Sequence, residues 1–107
     1  MIIYRHLLKN KKIFFMEVVG KKIRVHGRVQ GVGFRQFTVY TAQQYNIQGT
    51  VKNLFDGSVE CYAKGTKEDM DKFIQNLRKG PPLAKVTNIE IEDISPTLIP
   101  NGFKIIY

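Results

Sequence analysis

At 107 residues the chain has room for one two-layer core and not for a second. Lysine and arginine outnumber the acids 17 to 9, a formal net charge of +8 that invites an anionic ligand without naming one. A lone cysteine excludes an internal disulfide and a cysteine-based zinc site, and it suits a reducing cytoplasm.

Met1 to Phe15 hold Arg5, Lys9, Lys11 and Lys12 with no acid, which is +4 of the +8. The apolar residues here fall in clusters too short for a signal-peptide core or a membrane span. Two readings follow: an appended leader, or a basic arm for nucleic acid or a membrane surface. We take the first, with residues 1–18 an extension outside the fold and 19–107 the domain.

Ile23 and Val25 alternate with polar neighbours and predict a strand over about Lys21 to His26. His26 then points to the opposite strand face, where a lone histidine is a surface or satisfied residue before it is a catalytic base. Next stand Gly27-Arg28-Val29-Gln30-Gly31-Val32-Gly33-Phe34-Arg35. Three glycines let successive N–H groups turn toward one point, where an anion of phosphate size fits at the start of a helix. A helix beginning near Gly33 or Phe34 puts Arg35 in its first turn, able to close on the same anion in a bidentate way. Neither common phosphate motif is present: position 36 is Gln36 rather than a third fingerprint glycine, and no Gly-Lys-Ser/Thr occurs. By pattern alone such a loop is a connection first and an anion cradle second.

A helix over about Gly33 to Tyr45 competes with a strand, because Phe37-Thr38-Val39-Tyr40-Thr41 is rich in aromatic and β-branched residues. Gly49 to Glu60 read as two strands turning at Phe55-Asp56-Gly57, since Asp-Gly between alternating apolar positions is a strong hairpin signal. Asn53 shares a strand face with Val51, so it is either a turn-former capping the strand or an amide delivered to a site. Cys61, between Val59 and Ala63 on an inward face, reads as core rather than as a thiol nucleophile. A second helix is expected over Lys67 to Lys79. Met70, Phe73, Ile74 and Leu77 share one face, Thr66 is its N-cap with Asp69 three residues on, and Gly80-Pro81-Pro82 ends it. Strands at about Val86 to Asp93 and Phe103 to Ile106 close the chain. The order β-α-β-β-α-β predicts an α+β, ferredoxin-like sandwich, with two helices on one face of a mostly antiparallel sheet.

Two of these segments resemble the acylphosphatase signature, a loop Gly-x-Val-Gln-Gly-Val-x-Phe-Arg followed by a strand Gly-x-Val-x-Asn and a downstream Gly-x-Val. They stand at Gly27 to Arg35 and at Gly49 to Val59, and Phe103 to Tyr107 resembles the family's Phe-x-Ile-x-Tyr terminus. The resemblance runs from about Val19 to Tyr107, and Met16 is a natural start for a chain of family length. Thr50 departs from it, standing where many members carry an aromatic residue. The resemblance decides the first helix, with Asn46 at its left-handed stop. It implies a hydrolase acting on the carboxyl–phosphate bond of acyl phosphates, an acid-anhydride hydrolase with no metal or cofactor. Gln30, Gly31, Val32, Gly33 and Phe34 would bind the phosphoryl group through their amides, Arg35 through its guanidinium, and Asn53 would hold the attacking water. The expected partners are a small acyl phosphate and inorganic phosphate, as product and inhibitor, with a monomeric cytoplasmic enzyme and no nucleic acid or membrane.

Residue chemistry agrees. A carboxylate leaves as an anion near neutral pH without a general acid, and phosphoryl transfer through a loose transition state is served by positioning and electrostatics. The runner-up reading is a nucleic-acid module on the same fold, since the chain is basic, Tyr62 lies on an exposed strand face and the Gly-Phe-Arg-Gln-Phe run carries two aromatics. That module needs the run along a central strand, whereas here it begins a helix.

Overall fold

The computed structural model describes residues 2–7 and 12–107, with side chains from Glu17 onward. Its longest element, β2 (Lys12–Arg28), borders three other strands. Before it runs β1 (Ile2–Leu7); after it come α1 (Phe34–Gln44), β3 (Gln48–Asn53), β4 (Val59–Thr66), α2 (Lys67–Lys79), β5 (Lys85–Ile94) and β6 (Phe103–Ile105). From β2 to β5 the order is the expected β-α-β-β-α-β. The strands lie side by side as β5-β2-β4-β3-β6, all antiparallel except β3 with β6. Both helices pack on one face of this sheet, which makes the fold a ferredoxin-like sandwich.

Alternation along the strands builds the core. Ile23 and Val25 of β2, Val51 of β3, and Val59, Cys61 and Ala63 of β4 are buried on one face. Against them α2 sets Met70, Phe73, Ile74 and Leu77, spaced as one helical stripe, each contributing about 1.5–3 kcal/mol by burial. The Thr66 hydroxyl accepts the Asp69 N–H at 3.2 Å, so the predicted cap is formed. Helix α1 forms despite its β-branched residues because Phe34, Thr38, Thr41 and Ala42 make one buried face, and the hydroxyls of Thr38 and Thr41 are satisfied there by donating to Phe34 O and Phe37 O, both at 2.8 Å. Asn46 stops it at φ 57°, in the left-handed region.

One strand differs from expectation. β2 begins at Lys12 instead of near Lys21, and its first six residues pair with β1 from Ile2↔Glu17 to Leu7↔Lys12. It runs unbroken through the boundary set at residue 18: Val18 is buried and pairs with Thr66 of β4. Pairing with β1 satisfies backbone groups that Lys12 to Glu17 would otherwise leave to water. Lys9 and Lys11 of the basic segment lie outside the described residues.

Among the described residues neither α1 nor α2 covers the sheet's other face, which is laced by charge pairs. Arg24 meets Glu60 at 3.4 Å, and His26 Nε2 lies 2.5 Å from Glu90 Oε1, so His26 is the satisfied surface residue that was expected. Tyr62 is half-buried there with Lys22 Nζ 6.0 Å from its ring centroid, while the Gly-Phe-Arg-Gln-Phe run starts α1 with Phe34 buried. A base-stacking platform would need those aromatics on strands. Among the described residues no helix is long and apolar enough to cross a membrane.

Candidate active site

The glycine loop joins β2 to α1 and is strung between two buried anchors, Val29 and Phe34. Between them Gly31 and Gly33 take φ 74° and 80°, a region that side chains with a Cβ rarely enter. Gly33 is the N-cap of α1 and makes no side-chain cap bond; its carbonyl accepts the Phe37 N–H at 3.0 Å. Arg35 therefore stands in the first turn, at the end where N–H groups lack helical partners and the dipole favours an anion.

The side chain of Gln30 ties this loop to the β3–β4 turn. Its Nε2 donates to Leu54 O at 2.8 Å and to Ser58 O at 2.9 Å. The turn is closed by its own bonds, Leu54 N–H to Ser58 O at 2.9 Å and Gly57 N–H to Leu54 O at 3.2 Å. Asp56 accepts from the Ser58 hydroxyl and, at 2.9 Å, from the Ser58 N–H. The hydroxyl bond first, and the backbone bond after it, hold the Asp56 carboxyl below its ordinary 3.8.

Asn53, the last residue of β3, stands beside that turn. Its Oδ1 is buried and has no hydrogen-bond partner among the described residues. Leaving such an acceptor unmatched costs about 1–3 kcal/mol. Arg35 and Asn53 both line a cleft of about 170 Å³, together with Gly31, Gly33 and Tyr107. Arg35 makes no ion pair with a described carboxylate; its Cζ lies 5.3 Å from the centre of the Tyr107 ring. The Ile106 N–H donates to Val51 O at 2.9 Å and so lays the chain end along β3, beside the cleft. A guanidinium over an aromatic face is steadied by about 0.5–1 kcal/mol at an exposed site and keeps all its donors free.

Of the residues singled out from sequence, Gly31, Gly33, Phe34, Arg35 and Asn53 line the one cleft, and Gln30 lines the wider space next to it. Val32 lines neither. Thr50 lies off both clefts, paired with Tyr62 and Lys104. Cys61 is buried away from them and burial pushes its thiol pKa up, which removes it as a nucleophile. Among the described residues no group of three or more His, Cys, Asp or Glu could hold a metal. Sequence reasoning missed two features, the amide bridge of Gln30 and the ring of Tyr107. Each lies inside a segment already recognised, the loop and the terminus, but only the folded chain shows what its side chain touches.

Fold and site define a small α+β domain with a glycine-rich loop at a helix N-terminus, where a first-turn arginine shares a cleft with a strand-end asparagine. Residues 21–105 match the acylphosphatase family model, and the chain belongs to that family. It is 47% identical over 75 residues to the acylphosphatase of Thermotoga maritima, covering 70% of this chain and 83% of that one. It is 45% identical over 86 residues to that of Listeria monocytogenes, covering 79% and 92%. The crystal structure of acylphosphatase from Bacillus subtilis is similar at TM-score 0.78 and 39% identity, covering 83% of this chain and 99% of that one. The protein is an enzyme that hydrolyses acyl phosphates.

Proposed function

We propose that Arg35 and the amides from Gln30 to Phe34 hold the phosphoryl group and that Asn53 orients the water that attacks it. The observation that carries this reading is the buried, unpartnered Oδ1 of Asn53 in a cleft that Arg35 also lines. Water oxygen bonds to phosphorus as the bond from phosphorus to the acyl oxygen breaks, and the carboxylate departs with that electron pair. The water's proton passes to a phosphate oxygen, so the products are a carboxylate and inorganic phosphate. Because a carboxylic acid has a pKa of about 4, the leaving group needs no proton from the protein. Charge on the equatorial oxygens of a loose transition state meets the guanidinium and the loop amides, which are in place beforehand.

The same reading gives inorganic phosphate as product and competitive inhibitor, and no need for a metal or cofactor. Hydrolysis of benzoyl phosphate should proceed unchanged in EDTA, with phosphate raising KM alone. Loss of activity in chelator, restored by a divalent cation, would overturn it. We further assign a monomer and a cytoplasmic location, the latter supported by the free thiol of Cys61 kept in the core.

A further inference from the structure

Among the described side chains, charge is sorted along the sandwich. β5 begins at Lys85, paired with Arg28 where β2 enters the glycine loop, and ends at Ile94, paired with Gly20. Helix α2 runs the other way. Its first turns share a cleft with Glu17, Lys21 and Asp93 through Lys67, Met70 and Asp71. Its C-cap, Gly80, is so close to the loop anchor Phe34 that a Cβ there would come within 3.1 Å of the ring. The far end therefore holds the acids Glu17, Glu68, Asp69, Asp71 and Asp93, with Lys21, Lys67 and Lys72 among them. The loop end holds Arg28, Arg35, Lys52, Arg78, Lys79 and Lys85 against one acid, Asp56.

Ion pairing follows the same division. The far-end lysines are all paired, Lys21 with Asp93, Lys67 with Asp71 at 3.2 Å and Lys72 with Glu68 at 3.6 Å. No loop-end cation forms an ion pair with a described carboxylate. The helix dipole accounts for Arg78 and Lys79, which lie in the last turn of α2. It does not account for Arg28 and Lys85. These two are exposed and stand directly opposite each other on antiparallel strands, where like charges destabilise. Together the four give a positive potential to the end of the molecule that carries the cleft of Arg35 and Asn53. Arg28, Arg78, Lys79 and Lys85 line neither that cleft nor the wider one beside it, so they act on an anion there only across solvent.

We propose that Arg28, Arg78, Lys79 and Lys85 are capture residues, which concentrate the phosphoryl dianion at the Arg35 cleft and tighten its binding without touching it. The proposal rests on the assignment of Arg35 and Asn53 above. The attraction acts through water, so it is weak per charge, twice as strong for a dianion as for a monoanion, and governed by salt. Substrate and transition state carry the same total charge. The field therefore binds both nearly alike and shows in KM rather than in kcat.

The test compares two double variants, Arg78→Gln with Lys79→Gln and Lys67→Gln with Lys72→Gln, which remove the same charge from opposite ends of α2. KM and kcat for benzoyl phosphate and the inhibition constant of inorganic phosphate are measured at ionic strengths of about 10 mM and about 1 M, where the Debye length is about 30 Å and about 3 Å. At the lower strength, loss of Arg78 and Lys79 should raise KM and the phosphate constant together by about two- to five-fold, with kcat held within about two-fold. At the higher strength the difference from the parent should vanish. The variant lacking Lys67 and Lys72 should stay within about 1.5-fold of the parent at both. Arg28→Gln with Lys85→Gln should repeat the loop-end result without lowering Tm, since it relieves a like-charge pair. Equal effects from the two ends of α2, no effect at low salt, or a loss that persists at high salt would overturn the capture role while leaving the phosphate site standing. A parent inactive on benzoyl phosphate would overturn the catalytic reading itself.

Discussion

Gln30→Ala removes both amide bonds between the phosphate loop and the β3–β4 turn. A neutral hydrogen bond contributes about 0.5–1.5 kcal/mol net, so two set an upper range of about 1–3 kcal/mol. Leu54 O keeps the Gly57 N–H and Ser58 O keeps the Leu54 N–H, so neither carbonyl is orphaned. The loss should then lie in the lower half, about 1–2 kcal/mol, which for a domain of this size lowers Tm by about 5–10 °C. Activity should suffer more than stability. With the bridge gone, the Arg35 side and the Asn53 side of the cleft are no longer held in register, and a displacement near 1 Å costs up to about a hundred-fold in rate. We expect kcat to fall by about ten- to a hundred-fold. Gln30→Glu is the sharper variant, since a carboxylate of the same shape donates nothing and faces two carbonyl oxygens; it should be worse on both counts. Thermal unfolding followed by circular dichroism, beside benzoyl phosphate kinetics, reads both effects. Unchanged Tm and kcat in Gln30→Ala would refute the bridge as a positioning device.

Arg35→Ala should weaken phosphate binding and nearly abolish turnover, because the guanidinium meets charge present both before and during reaction; calorimetric phosphate titration beside kinetics checks it, and full activity would remove Arg35 from the mechanism. Arg35→Lys should restore little, since a point ammonium lacks the planar fork; recovery to near-parent kcat would show that charge alone suffices. Asp56 should titrate below 3.8 by NMR, and Ser58→Ala should move it back up toward that value. Its folded pKa is lowered, so the stability it lends the turn is present above the ordinary carboxylate pKa and lost as pH falls through the lowered one. An Asp56 titration indifferent to Ser58 would contradict the assigned bond.

Legibility followed periodicity and turn chemistry. The stripe of Met70, Phe73, Ile74 and Leu77, with Thr66 before it and Gly80 after, gave α2 its bounds directly, because cap and core signals agree. α1 was ambiguous by propensity, and the deciding physics is tertiary: Phe34, Thr38, Thr41 and Ala42 form one buried face, which no window of sequence displays. The early start of β2 was hidden because its pairing partner, β1, has no turn signal of the Asp-Gly kind linking it to Lys12. At the site, Arg35 and Asn53 were readable from the two motifs. Gln30 was readable only as a backbone amide, since which carbonyls its side chain reaches depends on how β3 and β4 turn beside the loop.

The central claim is a division of labour, phosphate held by Arg35 and the loop, water held by Asn53. Asn53→Ala tests it most directly, through kcat for benzoyl phosphate and the inhibition constant of inorganic phosphate measured on the same preparation. The account predicts a fall in kcat of about a hundred-fold or more, the scale of losing one positioned hydrogen-bonding group, with the phosphate constant moved less than about two-fold. Loss of phosphate binding in step with activity, or a kcat within a few-fold of the parent, would contradict it.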